Sequence, residues 1–169
     1  MKLILAALIL LFASISRLVV IHDGKLSEKE VVVSIPVNEC YRYVTDPQTY
    51  PRWIPSVLSI ENMKQPFHIS IGEEFVIVID YGFLGTMSYI AQILSVQPNI
   101  GFTFILNDWL ETKFDFTFVS MDEEKSKMKL TISSNKNNLL YKHIILPIAH
   151  LYYSNWLTQC LLRFQLAYS

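Results

Sequence analysis

The chain has 169 residues, 51% of them hydrophobic and 17% charged, with a net charge of −1, a pI near 6.4 and a mean hydropathy of +0.31. That length suits one domain. The low charge excludes intrinsic disorder as the dominant state, and the lack of a basic excess argues against a nucleic-acid partner.

Residues 1–22 read as a signal peptide or an N-terminal membrane anchor, and residues 23–169 as the folded domain. Lys2 precedes an apolar run from Leu3 to Phe12, and Ala13-Ser14-Ile15-Ser16 follows. A basic start, an apolar core and a small-residue exit are the parts of a cleaved signal. Leu18-Val19-Val20-Ile21 resumes the run after Arg17. Uncleaved, the stretch from Leu3 to Ile21 has about 19 residues, enough for a membrane helix. Both readings place the domain in the secretory pathway, secreted or membrane-anchored. An ordinary buried first element is the third reading.

His22 to Glu30 reads as a polar linker and Lys29 to Ile35 as a strand that stops at Pro36. Val37 to Thr45 has helical spacing. Asp46-Pro47 ends it, and Tyr50-Pro51-Arg52-Trp53-Ile54-Pro55 makes a second short helix or turn. From Val57 the period becomes two. The strands predicted are Glu74 to Asp80, Thr86 to Val96, and three alternating runs around Phe102/Phe104/Leu106, Phe114/Phe116/Phe118 and Met128/Leu130/Ile132. Such alternation means one dry and one wet sheet face. The short turns between the runs favour antiparallel hairpins. Leu139 to Ala167 then reads as one long helix, about 40 Å at 1.5 Å per residue. Pro147 inside it should kink it or mark a late start.

The order of elements implies an α+β domain. An antiparallel sheet with one apolar face needs a cover, and the long helix is the one element large enough to supply it.

This order resembles the helix-grip superfamily of START-like and birch-pollen-allergen-like proteins (SRPBCC). Within it, the polyketide cyclase/dehydrase and lipid-transport branch is most similar. Val31 to Asp46 resembles the opening strand and "P-x-x-x-V/Y" helix closed by "T/S-D-P". Tyr50 to Pro55 is similar to "Y/L-P-x-W-x-P", and Ile71-Gly72-Glu73-Glu74-Phe75 to "x-G-x-x-F/W". The resemblance covers roughly residues 29–168. It implies a helix-grip fold, with a curved antiparallel sheet of about seven strands wrapped around the C-terminal helix and two short helices after the first strand. It implies a cavity for a lipid or other apolar small molecule, and it carries over no catalytic residue or cofactor.

The pocket lining implied is Trp53 from the second short helix and Ile77, Tyr81 and Tyr89 from the first two long strands. Phe104, Phe114, Phe116 and Phe118 follow from the next two, and His150 and Tyr153 from the long helix. Taken one by one, the aromatic residues of the long helix and of the 114–118 strand read as core that fills the grip rather than as pocket walls. The family's packing of the first helix near the C-terminal half of the last also allows a Cys40–Cys160 disulfide in an oxidising compartment, two buried free thiols being the other reading.

Catalytic signals are weak. His143 and His150 share a helix face, and Asp80 or Asp108 would complete an acid/base or metal site, but no HExxH or carboxylate cluster accompanies them. No metal site is expected. The favoured reading is binding, with transport as an extension, of a hydrophobic small molecule. The alternatives are a cyclase, dehydratase or hydrolase using the same cavity, and a non-catalytic membrane-tethered interaction protein.

Overall fold

The structure, a computed structural model, describes residues 24–62, 68–136 and 145–168. Residues 1–22, read above as a leader or anchor, and His143 lie outside the described residues.

Seven strands form one antiparallel sheet. They are β1 (Lys25–Val33), β2 (Val57–Glu61), β3 (Glu74–Asp80), β4 (Thr86–Gln97), β5 (Gly101–Leu106), β6 (Thr112–Ser120) and β7 (Ser126–Ser134). Their order is β1-β7-β6-β5-β4-β3-β2, so β2 to β7 form a meander and β1 closes beside the last strand. The helices are α1 (Val37–Thr45), α2 (Tyr50–Trp53) and α3 (Leu146–Ala167). The sheet curves around α3, as the resemblance implied.

Alternation holds on β6 and β7, whereas on β5 Thr103 is buried along with Phe102 and Phe104. Phe114, Phe116 and Phe118 of β6 and Met128, Leu130 and Ile132 of β7 are buried. The lysines between them on β7 face solvent. Lys129 lies 3.5 Å from Glu28 and Lys127 lies 3.3 Å from Glu30, both across the β1–β7 ladder. These glutamates made the start of β1 look like a linker. They are the wet-face residues of an edge strand, so β1 starts at Lys25 rather than Lys29. A bulge between Lys25 and Ser27 shifts the register there, and Leu26 and Ser27 are both buried.

The segment from Asp46 to Pro55 joins opposite edges of the sheet. Asp46 accepts the Gln48 N–H at 3.0 Å and starts a 3₁₀ turn over Pro47–Thr49. The Thr49 hydroxyl donates to the Tyr43 carbonyl at 2.9 Å. The Trp53 indole N–H in turn donates to Thr49 Oγ1 at 3.3 Å. The motif thus aims two large rings, Tyr50 and Trp53, into the sheet's concave face.

α3 begins at Leu146, with Pro147 in its first turn. The 139–144 part of the long helix read from the sequence lies outside the described residues. Leu157, Cys160, Leu161 and Phe164 are buried at spacings of three and four, one helix face. The C-terminal half of α3 therefore packs as core. Among the described residues no helix is long and apolar enough to cross a membrane.

Candidate functional site, a tyrosine-rimmed cavity at one end of the grip

The concave face divides into a filled part and an open part. The filled part is aromatic. Phe102 stacks on Phe116 at 4.6 Å and Phe104 on Phe114 at 4.9 Å, pairs directly opposite across the β5–β6 ladder. Tyr50 contacts Phe75 and Phe104, while Trp53 meets Phe164 at 5.3 Å and Phe116 at 6.5 Å. Tyr41 meets Phe118 edge-on at 5.5 Å. Rings at these separations and tilts pack favourably beyond their area burial.

The open part is a cavity of about 370 Å³ beneath the first turns of α3. Tyr81 and Tyr89 wall it from β3 and β4. Asp108, Trp109 and Leu110 wall it from the β5–β6 turn. Ile145, Ile148, Ala149, Tyr152 and Tyr153 roof it. Its volume is at the small end of the range for ligand pockets.

Polar groups here are few and linked. The Thr112 hydroxyl donates to Asp108 Oδ2 at 2.6 Å, and the Thr112 N–H donates to Asp108 Oδ1 at 2.7 Å. With its proton so committed, Thr112 Oγ1 accepts from the Tyr153 hydroxyl at 3.3 Å. That leaves the lone pairs of the Tyr153 oxygen as the acceptor offered to a ligand. Burial pushes the phenols of Tyr81, Tyr152 and Tyr153 above the usual range, so they stay neutral at physiological pH. Asp108 has both oxygens engaged by Thr112 and holds the turn rather than standing free as a base.

The structure distributes the sequence-derived candidates unevenly. Tyr81, Tyr89 and Tyr153 line the cavity. Trp53, Ile77, Phe104, Phe114, Phe116 and Phe118 are buried in the packed core. His150 turns away. Its Nδ1–H donates to the Leu26 carbonyl at 2.5 Å and fastens α3 to β1. Asp80 accepts the Gly82 N–H at 2.7 Å within its own turn. Sequence reasoning missed Leu110, Ile145, Ile148 and Ala149; the available signal was Pro147, which marks the first turn of the roof helix. Cys40 and Cys160 are free thiols in the core, not a disulfide. Burial raises the Cys40 thiol to about 11 and pushes Cys160 higher still. Among the described residues no cluster of three metal-ligating side chains occurs.

Several solved structures share this architecture. The di-domain ARO/CYC BexL from the BE-7585A biosynthetic pathway superposes with a TM-score of 0.65 at 14% identity, over 82% of this chain and 44% of that one. A START superfamily protein from Mycobacterium smegmatis gives 0.55 at 14% identity, over 80% and 97% of the two chains.

The chain has the START-like helix-grip fold.

The Polyketide_cyc-like protein Cgl2372 from Corynebacterium glutamicum shares it too, with a TM-score of 0.59 and 14% identity over 85% of this chain and 91% of that one. No family model and no curated protein matches the sequence. At such low identity the helix-grip likeness establishes the fold, and the chemistry has to come from this chain's own cavity.

Proposed function

We propose that the protein binds a compact apolar molecule carrying one or two hydrogen-bonding groups, in the cavity between α3 and the β3–β4 and β5–β6 ends. The observation that carries this reading is the tyrosine-rimmed cavity of about 370 Å³ at the end of an aromatic core. A molecule entering it gains burial free energy of about 0.8 kcal/mol per CH₂ before ordering costs. The Tyr153 oxygen orients the ligand. The names of the structurally similar proteins, START and ARO/CYC, point the same way. No pair of free acid and base groups meets in the cavity among the described residues, which favours a binder over an enzyme of cyclase, dehydratase or hydrolase type. Handing the ligand to a membrane or to another protein would make the binder a transporter.

Native mass spectrometry of the purified chain, before and after solvent extraction, tests the reading. A discrete extractable mass, or uptake of a fatty acid, sterol or quinone, is the expected result. Ala149→Phe fills the roof and should weaken that uptake by at least about tenfold, equivalent to 1.4 kcal/mol, with the circular dichroism unchanged. A bare protein that takes up none of these classes removes the ligand reading and leaves a scaffold with a filled core.

A further inference from the structure

Apolar side chains that face water border the cavity. Trp109, Ile148 and Tyr152 line it and are 64%, 51% and 50% exposed. Phe83, in the 3₁₀ turn Gly82–Leu84 that follows the wall residue Tyr81, is 96% exposed. Met87, its sulfur 3.2 Å from the hydroxyl of the wall residue Tyr89, is also exposed. Contiguous exposed apolar surface of this kind marks a contact site. A mixture of Trp, Tyr and aliphatic tips suits the water–hydrocarbon boundary of a bilayer, where such amphipathic rings concentrate. The carboxylates nearby are not bare. Asp80 holds the Gly82 N–H, Asp108 holds Thr112, and Glu111 pairs with Lys136 at 2.6 Å.

A second observation argues for a bilayer as the partner. The chain enters β1 beside this rim. The Gly24 carbonyl accepts the Ser134 N–H at 2.9 Å, and the Ser134 hydroxyl donates at 2.5 Å to the carbonyl of Leu110, a wall residue of the cavity. His150, on the roof helix, bonds the Leu26 carbonyl. The apolar run Leu3 to Ile21 precedes Gly24 with only His22 and Asp23 between. Three residue steps span about 11 Å at full extension. If the run lies in a bilayer, so short a tether leaves the rim end of the domain at the bilayer surface.

We propose that the rim formed by Phe83, Met87, Trp109, Ile148 and Tyr152 docks on a lipid bilayer held by the Leu3–Ile21 run, so that the cavity opens onto the membrane. This rests on the ligand reading for its purpose, since the bilayer becomes the source or destination of the ligand, but not for its geometry.

The full chain reconstituted into phosphatidylcholine vesicles with brominated acyl chains tests it. Trp53 is buried and Trp156 half-buried against Phe114 and Tyr153, so the difference between the parent and Trp109→Phe isolates the emission of Trp109. The expected result is that this share is blue-shifted and quenched by bromine, and that Phe83→Asp, at a fully exposed position, loses most of the quenching while keeping the parent circular dichroism. Emission from Trp109 with an aqueous wavelength and no quenching overturns the proposal. A blue shift without bromine quenching also overturns it, because a second protein copy then covers the rim. Failure of the full chain to float with the vesicles overturns it as well. Ligand uptake with an unquenched Trp109 removes the docking alone. Quenching without uptake upholds the docking and removes the ligand reading.

Discussion

Cys40 shows how much a single side chain's role depends on what surrounds it. It sits on α1 in the core, and burial raises its thiol from 9.0 to about 11, an effect that a hydrogen bond with Ser126 only partly offsets. A group that holds its proton more tightly when folded stabilises the fold fully below its unfolded value, and that contribution disappears as the pH rises through the folded value. The urea midpoint should therefore be flat below pH 9.0 and fall as the pH climbs toward about 11. Cys40→Ala should flatten part of that slope, and an unchanged slope would assign the alkaline loss elsewhere. The buried phenol of Tyr50 and the cavity phenols of Tyr81 and Tyr153 act in the same direction, setting in near their ordinary value of about 10. Alkylation of either cysteine should require unfolding, since the thiolate is the reactive form.

The strands were legible element by element because their two faces meet different solvents. Lys127, Met128, Lys129 and Leu130 announce their own pleat. β1 was harder to read, because a charged edge strand looks like a linker until Lys127 and Lys129 of the neighbouring strand are seen to meet its glutamates. The pocket was only half legible. Alternation shows that Phe104, Phe114, Phe116 and Phe118 point inward, but not whether the space they face is empty. Tyr50, Trp53 and Phe164, from two other elements, occupy it. These aromatic residues belong to stability more than to recognition. Trp53→Ala should cost about 3–5 kcal/mol in urea unfolding, the range for deleting a buried large ring. A loss below 1 kcal/mol would mean that the space under α2 is not tightly packed. The cavity itself lies where α3 changes role, between a C-terminal half buried at spacings of three and four and N-terminal turns that overhang the tyrosines.

At the scale of the molecule, the sheet has two very different halves in time. From β2 to β7 every strand pairs with the next one made. β1 pairs only with β7, Val31 lying opposite Met128. Contacts so distant along the chain form late, because a long loop must close before they contribute. Pulse-labelled hydrogen exchange during refolding should protect β5 and β6 amides before those of β1, and simultaneous protection would contradict this order. On the ribosome, at 5–20 residues per second, the first strand waits on the order of 5–20 s for its partner. For that interval Val31, Val32 and Val33 have no sheet neighbour, and only nine residues separate them from the apolar run Leu3–Ile21. The nascent chain thus presents these two apolar stretches first and the means of covering the second of them last, an order of synthesis that favours protection of the emerging chain until β7 is made.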